Sequence, residues 1–523
     1  MKNLFFIAAY CFLVSIGDCQ NVVQLPITKL HFNSAAEQLV FEAISENKEC
    51  SSVKLFMVID SATTENEIRS VEKSVTDFAA QMEAEKPSKT FSKTVQNYFD
   101  KTHKKFFTKY QLSAFFNQIF EDGTYNCVTA SALYAMIFDK LGIHYAIKEK
   151  PTHVYIIVNP GRENILVEST DPEGRIVSMG EDFKKKYVNF LKAQKLLSEK
   201  EVAAGSIDDL FYKSYYTDSN ITLVQLAGIQ YYNRGVELLQ SNRYAKALIE
   251  FEKSYRLYPQ ASTSFLIISC LENLLGDDFI NNYDARKEYL VKYVNYTNLE
   301  QAKQNATAYY EKIADELLIN QNDQAHYLQF HSYLLENITD TSAINEINFI
   351  HYYYLGMAAA MKSDFTLSIT CLKQAASIHP NNLKIHSLTS EAVLKQLYMK
   401  RDLDEKDILD SINYYTASFP FLLENKAFQM LYTNLYLQVA GNSFNHNKGE
   451  AGAKYLSSFE AFFKEHPNIE LDDDMIDWGY GEASSYFVRR GNKAKARELL
   501  ETGMKYSPND EHLKTKMSYL KYF

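Results

Sequence analysis

Tyr231-Tyr-Asn-Arg-Gly235, followed by Tyr244-Ala-Lys-Ala247-Leu-Ile-Glu-Phe251 and then Tyr258-Pro259, is laid out as two helices and a stop. A second copy runs through Tyr352, Leu355-Gly356, Phe365, Leu372, Ala375 and Pro380, with the same 24 residues from glycine to proline (235 to 259, 356 to 380). A third runs through Tyr480, Gly491, Ala496, Leu500 and Pro508, with Ser484 where the others carry glycine. Such spacing has a steric cause. Small residues stand where the two helices of a hairpin cross closely, and proline ends the second helix because it cannot donate to the hydrogen-bond ladder. The segments between the copies are also helical in pattern, so an all-α solenoid is expected over 222–523, with clear repeats near 228–261, 349–382 and 477–510. Residues 441–450 read as a loop inserted within one hairpin, and the acidic run Asp472-Asp-Asp474 as a loop or helix start.

The offsets resemble the tetratricopeptide repeat. The resemblance implies an extended surface that binds a protein or peptide partner.

Upstream the pattern is mixed. Residues 63–84, 90–121 and 179–218 look helical, whereas the short apolar run Val53–Ile59 fits a strand or a buried helical turn equally. Cys127 to Leu141 is apolar around most of its circumference and ends at Gly142, suited to a left-handed cap, which makes it a buried helix. Two β-branched runs, 153–158 and 165–168, are joined through Asn159-Pro-Gly-Arg162 and read as a hairpin.

Within this part, Gly123-Thr-Tyr-Asn-Cys127 puts a thiol at a helix start, where unpaired backbone amides and the helix dipole favour a thiolate. A nucleophilic thiol needs an imidazole to take its proton and a third group to orient that imidazole. His153 is the candidate base. If the hairpin is centred on Pro160-Gly161, facing residues have numbers that sum to 321, His153 faces Glu168, and Asp171 is the runner-up acid. Asn126 and Gln118 are candidate side-chain donors to an oxyanion.

The stretch from about Phe107 to Pro172 resembles the transglutaminase-like superfamily of papain-type folds. The resemblance rests on Gly123 and Cys127, on Phe138-Asp-Lys-Leu-Gly-Ile143, on Pro151-Thr-His153-Val-Tyr and on Val167-Glu168-Ser-Thr170 with Asp171-Pro172. It implies an α+β papain/transglutaminase-like domain over 20–220, with its core at about 107–175. It also implies roles for Cys127 as nucleophile, His153 as general base and Glu168 or Asp171 as the orienting acid. The chain departs from that family where Val154 and Tyr155 follow the histidine. Its one tryptophan, Trp478, lies in the solenoid, so no tryptophan donor serves the site.

Composition bounds the rest. A chain of 523 residues exceeds a single core, and 46% hydrophobic residues fit a globular class. Residues 1–19 read as a signal peptide, with Lys2, an apolar run from Leu4 to Ile16 and then Gly17-Asp18-Cys19. Export to the periplasm or the extracellular space is expected. Asp18 directly before Cys19 counts against a lipid anchor there, and no stretch is long enough to span a membrane. The net charge of −10 argues against nucleic-acid binding. Of six cysteines, Cys50, Cys127, Cys270 and Cys371 follow the signal, too scattered for a disulfide framework. His326 and His331, five apart without further ligands, read as a solvated helix, and nothing calls for a metal or cofactor. The expectation is an exported thiol enzyme, an amide or peptide hydrolase or acyltransferase, with a partner-binding solenoid. The alternative is a catalytically silent platform for protein interaction or surface assembly.

Overall fold

The computed structural model describes residues 25–85, 90–150, 153–167, 181–193, 197, 200–201, 205–215, 219–276, 282–297, 300–399 and 405–520. The expected signal peptide, Glu168 and Asp171 lie outside them. The chain divides into two compact units, one built from residues up to Tyr309 with Ser332–Ala343, the other from Tyr310–His331 with the residues from Ile344 onward.

The first unit holds the strands. Lys109–Tyr110 (β1) and Thr124–Tyr125 (β2) form a small parallel pair. Tyr145–Lys150 (β3), His153–Val158 (β4), Ile165–Val167 (β5) and Ser219–Ile221 (β6) form an antiparallel sheet in the order β5-β4-β3-β6. The expected hairpin is therefore present, but the sequence reading missed β3 and β6. The register of β4 against β5 also differs. Ile156 faces Val167 and Val158 faces Ile165, so facing numbers sum to 323 rather than 321, and the pairing that favoured Glu168 does not hold in the described ladder. The ladder ends at Val158 and Ile165, so the turn is longer than a two-residue one, and Asn159, Gly161 and Asn164 take positive φ within it.

Several helices follow from local chemistry. Val53–Ile59 is resolved in favour of helix, since Ser51 caps Ser52–Met57 by accepting from the Lys54 amide. Thr64 and Glu67 form a reciprocal capping box on Glu65–Ala84. Residues 90–121 split into Phe91–Phe106, β1 and the short helix Gln118–Glu121. Cys127–Lys140 is buried from Cys127 through Phe138. It ends with Gly142 at φ +63° while the Ile143 amide bonds back to the Phe138 carbonyl, which is the expected left-handed cap.

Ser219–Ile221 runs directly into Thr222, which caps the Leu223–Gln240 helix through a second capping box with Gln225. The local pattern does change at 220–222. The core does not: Leu226, Ala227, Ile229, Tyr231, Leu257 and Tyr258 belong to the same buried cluster as the Cys127 helix and the sheet. Leu223–Gln240 and Tyr244–Leu257 form the first helix hairpin, where a Cβ on Gly235 would lie 2.7 Å from two ring carbons of Phe251. Only glycine allows that crossing.

In the second unit the same relation recurs, with a Cβ on Gly356 falling 2.9 Å from Leu372 Cγ as Thr341–Met361 crosses Phe365–Ile378. Further hairpins follow, Leu383–Met399 with Glu405–Ser418 and Lys426–Asn445 with Gly449–Glu465, then Glu482–Arg489 with Lys493–Tyr506. These are helix hairpins repeated along the chain, and most of the described chain is helical. Residues 441–450 are not an inserted loop. The helix continues through Asn445, and Gly441 is there because Trp478 packs against its backbone. Asp472 does begin a helix, accepting from the Asp474 and Met475 amides.

Candidate functional site

Cys127 is the first residue of its helix and is 1% exposed. Gly123 prepares the entry: its φ of +78° and the Thr108 side chain against its Cα leave no room for a Cβ, and its carbonyl accepts from the Thr108 amide at 2.8 Å. Asn126 then caps the helix. Its Oδ1 accepts from the Thr129 amide at 2.8 Å, and Thr129 Oγ1 accepts from the Asn126 amide at 2.9 Å.

The Asn126 side-chain amide is fully employed. Nδ2 donates to the Leu112 and Ala114 carbonyls, both at 3.0 Å, so its two hydrogens tie the preceding loop to the helix start instead of facing a reacting oxygen. Gln118 turns its Oε1 to the Phe115 amide at 2.8 Å, a local turn contact. Around the helix stand aromatic rings, Phe107 on Tyr125 at 4.6 Å and Phe99 on Tyr134 at 5.4 Å. The Tyr134 hydroxyl donates to the Phe99 carbonyl, and burial pushes its pKa far above the usual phenol value.

His153 opens β4. Side chains alternate along a strand, so His153 shares a face with Tyr155, and their rings are near-parallel at 5.9 Å. Val154, Ile156 and Val158 occupy the opposite face and are buried in the core that holds the Cys127 helix, where Ser131 Oγ donates to the Val154 carbonyl at 3.3 Å. The pleat thus turns the imidazole away from the face that packs with Cys127. Opposite Lys150 in the ladder, His153 stands on the Lys148 side of the sheet.

What the structure does bring together was not anticipated. Glu37 and Lys253, both fully buried, pair at 2.9 Å, and Glu37 Oε1 also accepts from the Tyr231 hydroxyl at 2.8 Å. Glu250 joins at 3.6 Å from Lys253, takes a bond from Asn33 Nδ2, and has its pKa raised by burial. On the sheet, buried Glu149 accepts from the Tyr258 hydroxyl at 2.9 Å. Both connections join the region before residue 222 to the first helix hairpin. No local sequence signal marks partners 216 and 109 residues apart.

Among the described residues the thiols are all free, with Cys127, Cys270 and Cys371 buried and Cys50 half-buried. Burial raises the Cys270 pKa well above that of an ordinary thiol. Among the described residues no group of three or more His, Cys, Asp or Glu side chains could hold a metal, and no helix is long and apolar enough to cross a membrane. The solvated-helix reading holds for His326, which is exposed beside Asp323, but fails for His331, which is buried against His351.

No family model matches this chain, and no curated protein matches it. Among solved structures it is similar to the TPR domain of P58(IPK), at 12% identity over 65% of this chain and 98% of that one, with a TM-score of 0.19. It is also similar to the human IFIT1 dimer with m7Gppp-AAAA, at 9% identity over 94% and 91% with a TM-score of 0.18. A third is Naa15/Naa10 bound to HypK-THB, at 11% identity over 65% and 64% with a TM-score of 0.17. At these scores the helix-pair reading rests on the chain's own glycine-to-apolar crossings.

Proposed function

We propose that this chain is a protein-binding scaffold, in which the tetratricopeptide-like hairpins carry the binding surface and the sheet-bearing region is a structural platform. The observation that carries the reading is the fusion of that platform to the first hairpin: one core runs across residues 220–222, and Cys127 is buried inside it. In the second unit Met361, Leu383, Tyr398, Met399 and Tyr414 are each more than half exposed, and they supply apolar contacts for a peptide or protein partner. The apolar run at residues 4–16 supports export to the periplasm or the extracellular space.

The test is partner capture by the full chain, followed by affinity measurement with Leu383→Asp/Tyr398→Asp and, separately, Cys127→Ala. The scaffold reading expects loss of binding in the first variant and none in the second. Equal affinity in all three, with turnover abolished only by Cys127→Ala, refutes it.

A second reading is kept because Cys127 stands at the positive end of a capped helix. In it the region is a transglutaminase-like thiol enzyme. The Cys127 thiolate attacks an amide carbonyl, expels the amine and leaves a thioester for water or a second amine to resolve, with His153 as base and Glu168 or Asp171 as its orienting acid, which requires a conformation in which His153 leaves the face it shares with Tyr155. Iodoacetamide labelling separates the two. A buried structural thiol reacts slowly at pH 7, whereas rapid labelling of Cys127 that is lost in His153→Ala overturns the platform reading.

A further inference from the structure

The second unit buries two imidazoles face to face. The rings of His331, from Gln324–Asn337, and His351, from Thr341–Met361, lie 3.6 Å apart at 10°, with the residues 7% and 8% exposed. Tyrosines enclose them. Tyr327 stacks on His351 at 5.6 Å and 12°, Tyr310 lies over His331 at 6.2 Å, and Tyr352 meets His351 edge-on.

The polar accounting of this stack suits neutral rings only. The Tyr310 hydroxyl donates to the Tyr327 hydroxyl at 2.8 Å, which commits its single hydrogen. His331 Nδ1, 2.9 Å from the same oxygen, is therefore assigned as the N–H donor to it. His351 Nδ1 is buried with no hydrogen-bond partner among the described residues. Among the described residues no carboxylate acts on either ring to meet a proton placed there. Burial and the neighbouring His351 lower His331 to about 3, and burial alone lowers His351 to about 4. Glu311 and Asp315, on the preceding helical segment, act instead on the Tyr353 and Tyr354 hydroxyls, and His326 on the far turn of its own helix pairs with Asp323.

We propose that the His331–His351 stack is an acid-operated latch: with both imidazoles neutral it locks the Gln324–Asn337 and Thr341–Met361 helices together, and uptake of a proton drives the rings apart and loosens that helix pair. The sign follows from linkage. Both groups sit below the free-imidazole value of ~6.5 when folded, so the closed form binds fewer protons than the open one. The latch is fully closed above that value and weakens as pH falls through it, down to the folded values. For His351 alone, the open population rises roughly 30-fold between pH 8 and pH 5.

Two measurements on the full chain test this. Hydrogen–deuterium exchange at the imidazole C2 position reads each histidine separately in the unaltered protein. His331 and His351 are expected to titrate at least about one unit below the free-imidazole value of ~6.5; titration of both buried rings in the ordinary range overturns the proposal. Urea midpoints, followed by Trp478 fluorescence from pH 8 to pH 5, are then compared with those of His331→Phe/His351→Phe. The variant, whose rings cannot charge, is expected to lose markedly less of its midpoint on acidification, and equal losses overturn the latch. If the variant does not fold, the exchange experiment decides alone.

Discussion

Replacing Lys253 by Met leaves the aliphatic stem in place and removes the ammonium that sits 2.9 Å from Glu37 with both side chains fully buried. Glu37 then keeps only the Tyr231 hydroxyl and the Asn33 amide, and Glu250 loses its nearest cation. An uncompensated buried carboxylate of this kind typically costs about 3–5 kcal/mol, far above the ~0–1 kcal/mol of an exposed pair. Removing both charges together, as Glu37→Gln/Lys253→Met, is expected to recover most of that loss, because a neutral amide still accepts from Tyr231 and Glu250 keeps the Arg234 guanidinium at 3.7 Å. The assay is urea unfolding at pH 7 with two probes. Far-UV circular dichroism follows both units, while the single tryptophan, Trp478, reports on the second unit alone. Lys253→Met should lower the stability of the first unit and leave the Trp478 transition in place. A loss under about 1 kcal/mol, or a double variant no better than the single one, would refute the claim that this ion pair fastens the platform to the first hairpin.

Gly441→Ala places a Cβ 2.6 Å from Trp478 Nε1 and 2.7 Å from the Trp478 carbonyl oxygen, so about 1–3 kcal/mol of overpacking and a change in tryptophan emission are expected in the second unit. An unchanged emission spectrum would contradict the packing. Asn126→Ala removes a cap and leaves the Leu112 carbonyl without its donor, a loss of about 2–3 kcal/mol by urea titration, whether or not Cys127 does chemistry.

The helix pairs were legible because their spacing records a steric demand. Gly235 under Phe251 and Gly356 under Leu372 repeat at one offset, and no other residue fits. The Cys127 helix and its Gly142 cap were legible for the same local reasons. β3 was not, since its alternation of Tyr145, Ile147 and Glu149 ends in a carboxylate whose burial depends on Tyr258, more than a hundred residues away. β6 offers one apolar residue in three. Hairpin arithmetic placed residues on faces correctly in parity but had the turn two numbers short. Nor did it tell which face of β4 receives the Cys127 helix, a matter settled by packing of Val154, Ile156 and Val158. His331 was read beside His326, although its partner lies twenty residues later on the next helix.

Thr222 has a mechanical consequence. It stands at once at the end of an edge strand and at the cap of the first repeat helix, with no linker between them. Tension applied to that helix by a bound partner reaches the sheet through the three paired residues of β6 as well as through the shared core and the Tyr258–Glu149 bond, and of these the β3–β6 seam is the path in line with the backbone. A pull strong enough to peel it would uncover the edge of β3, including the backbone beside Glu149, and turn a structural platform into an open strand ready to pair with another chain.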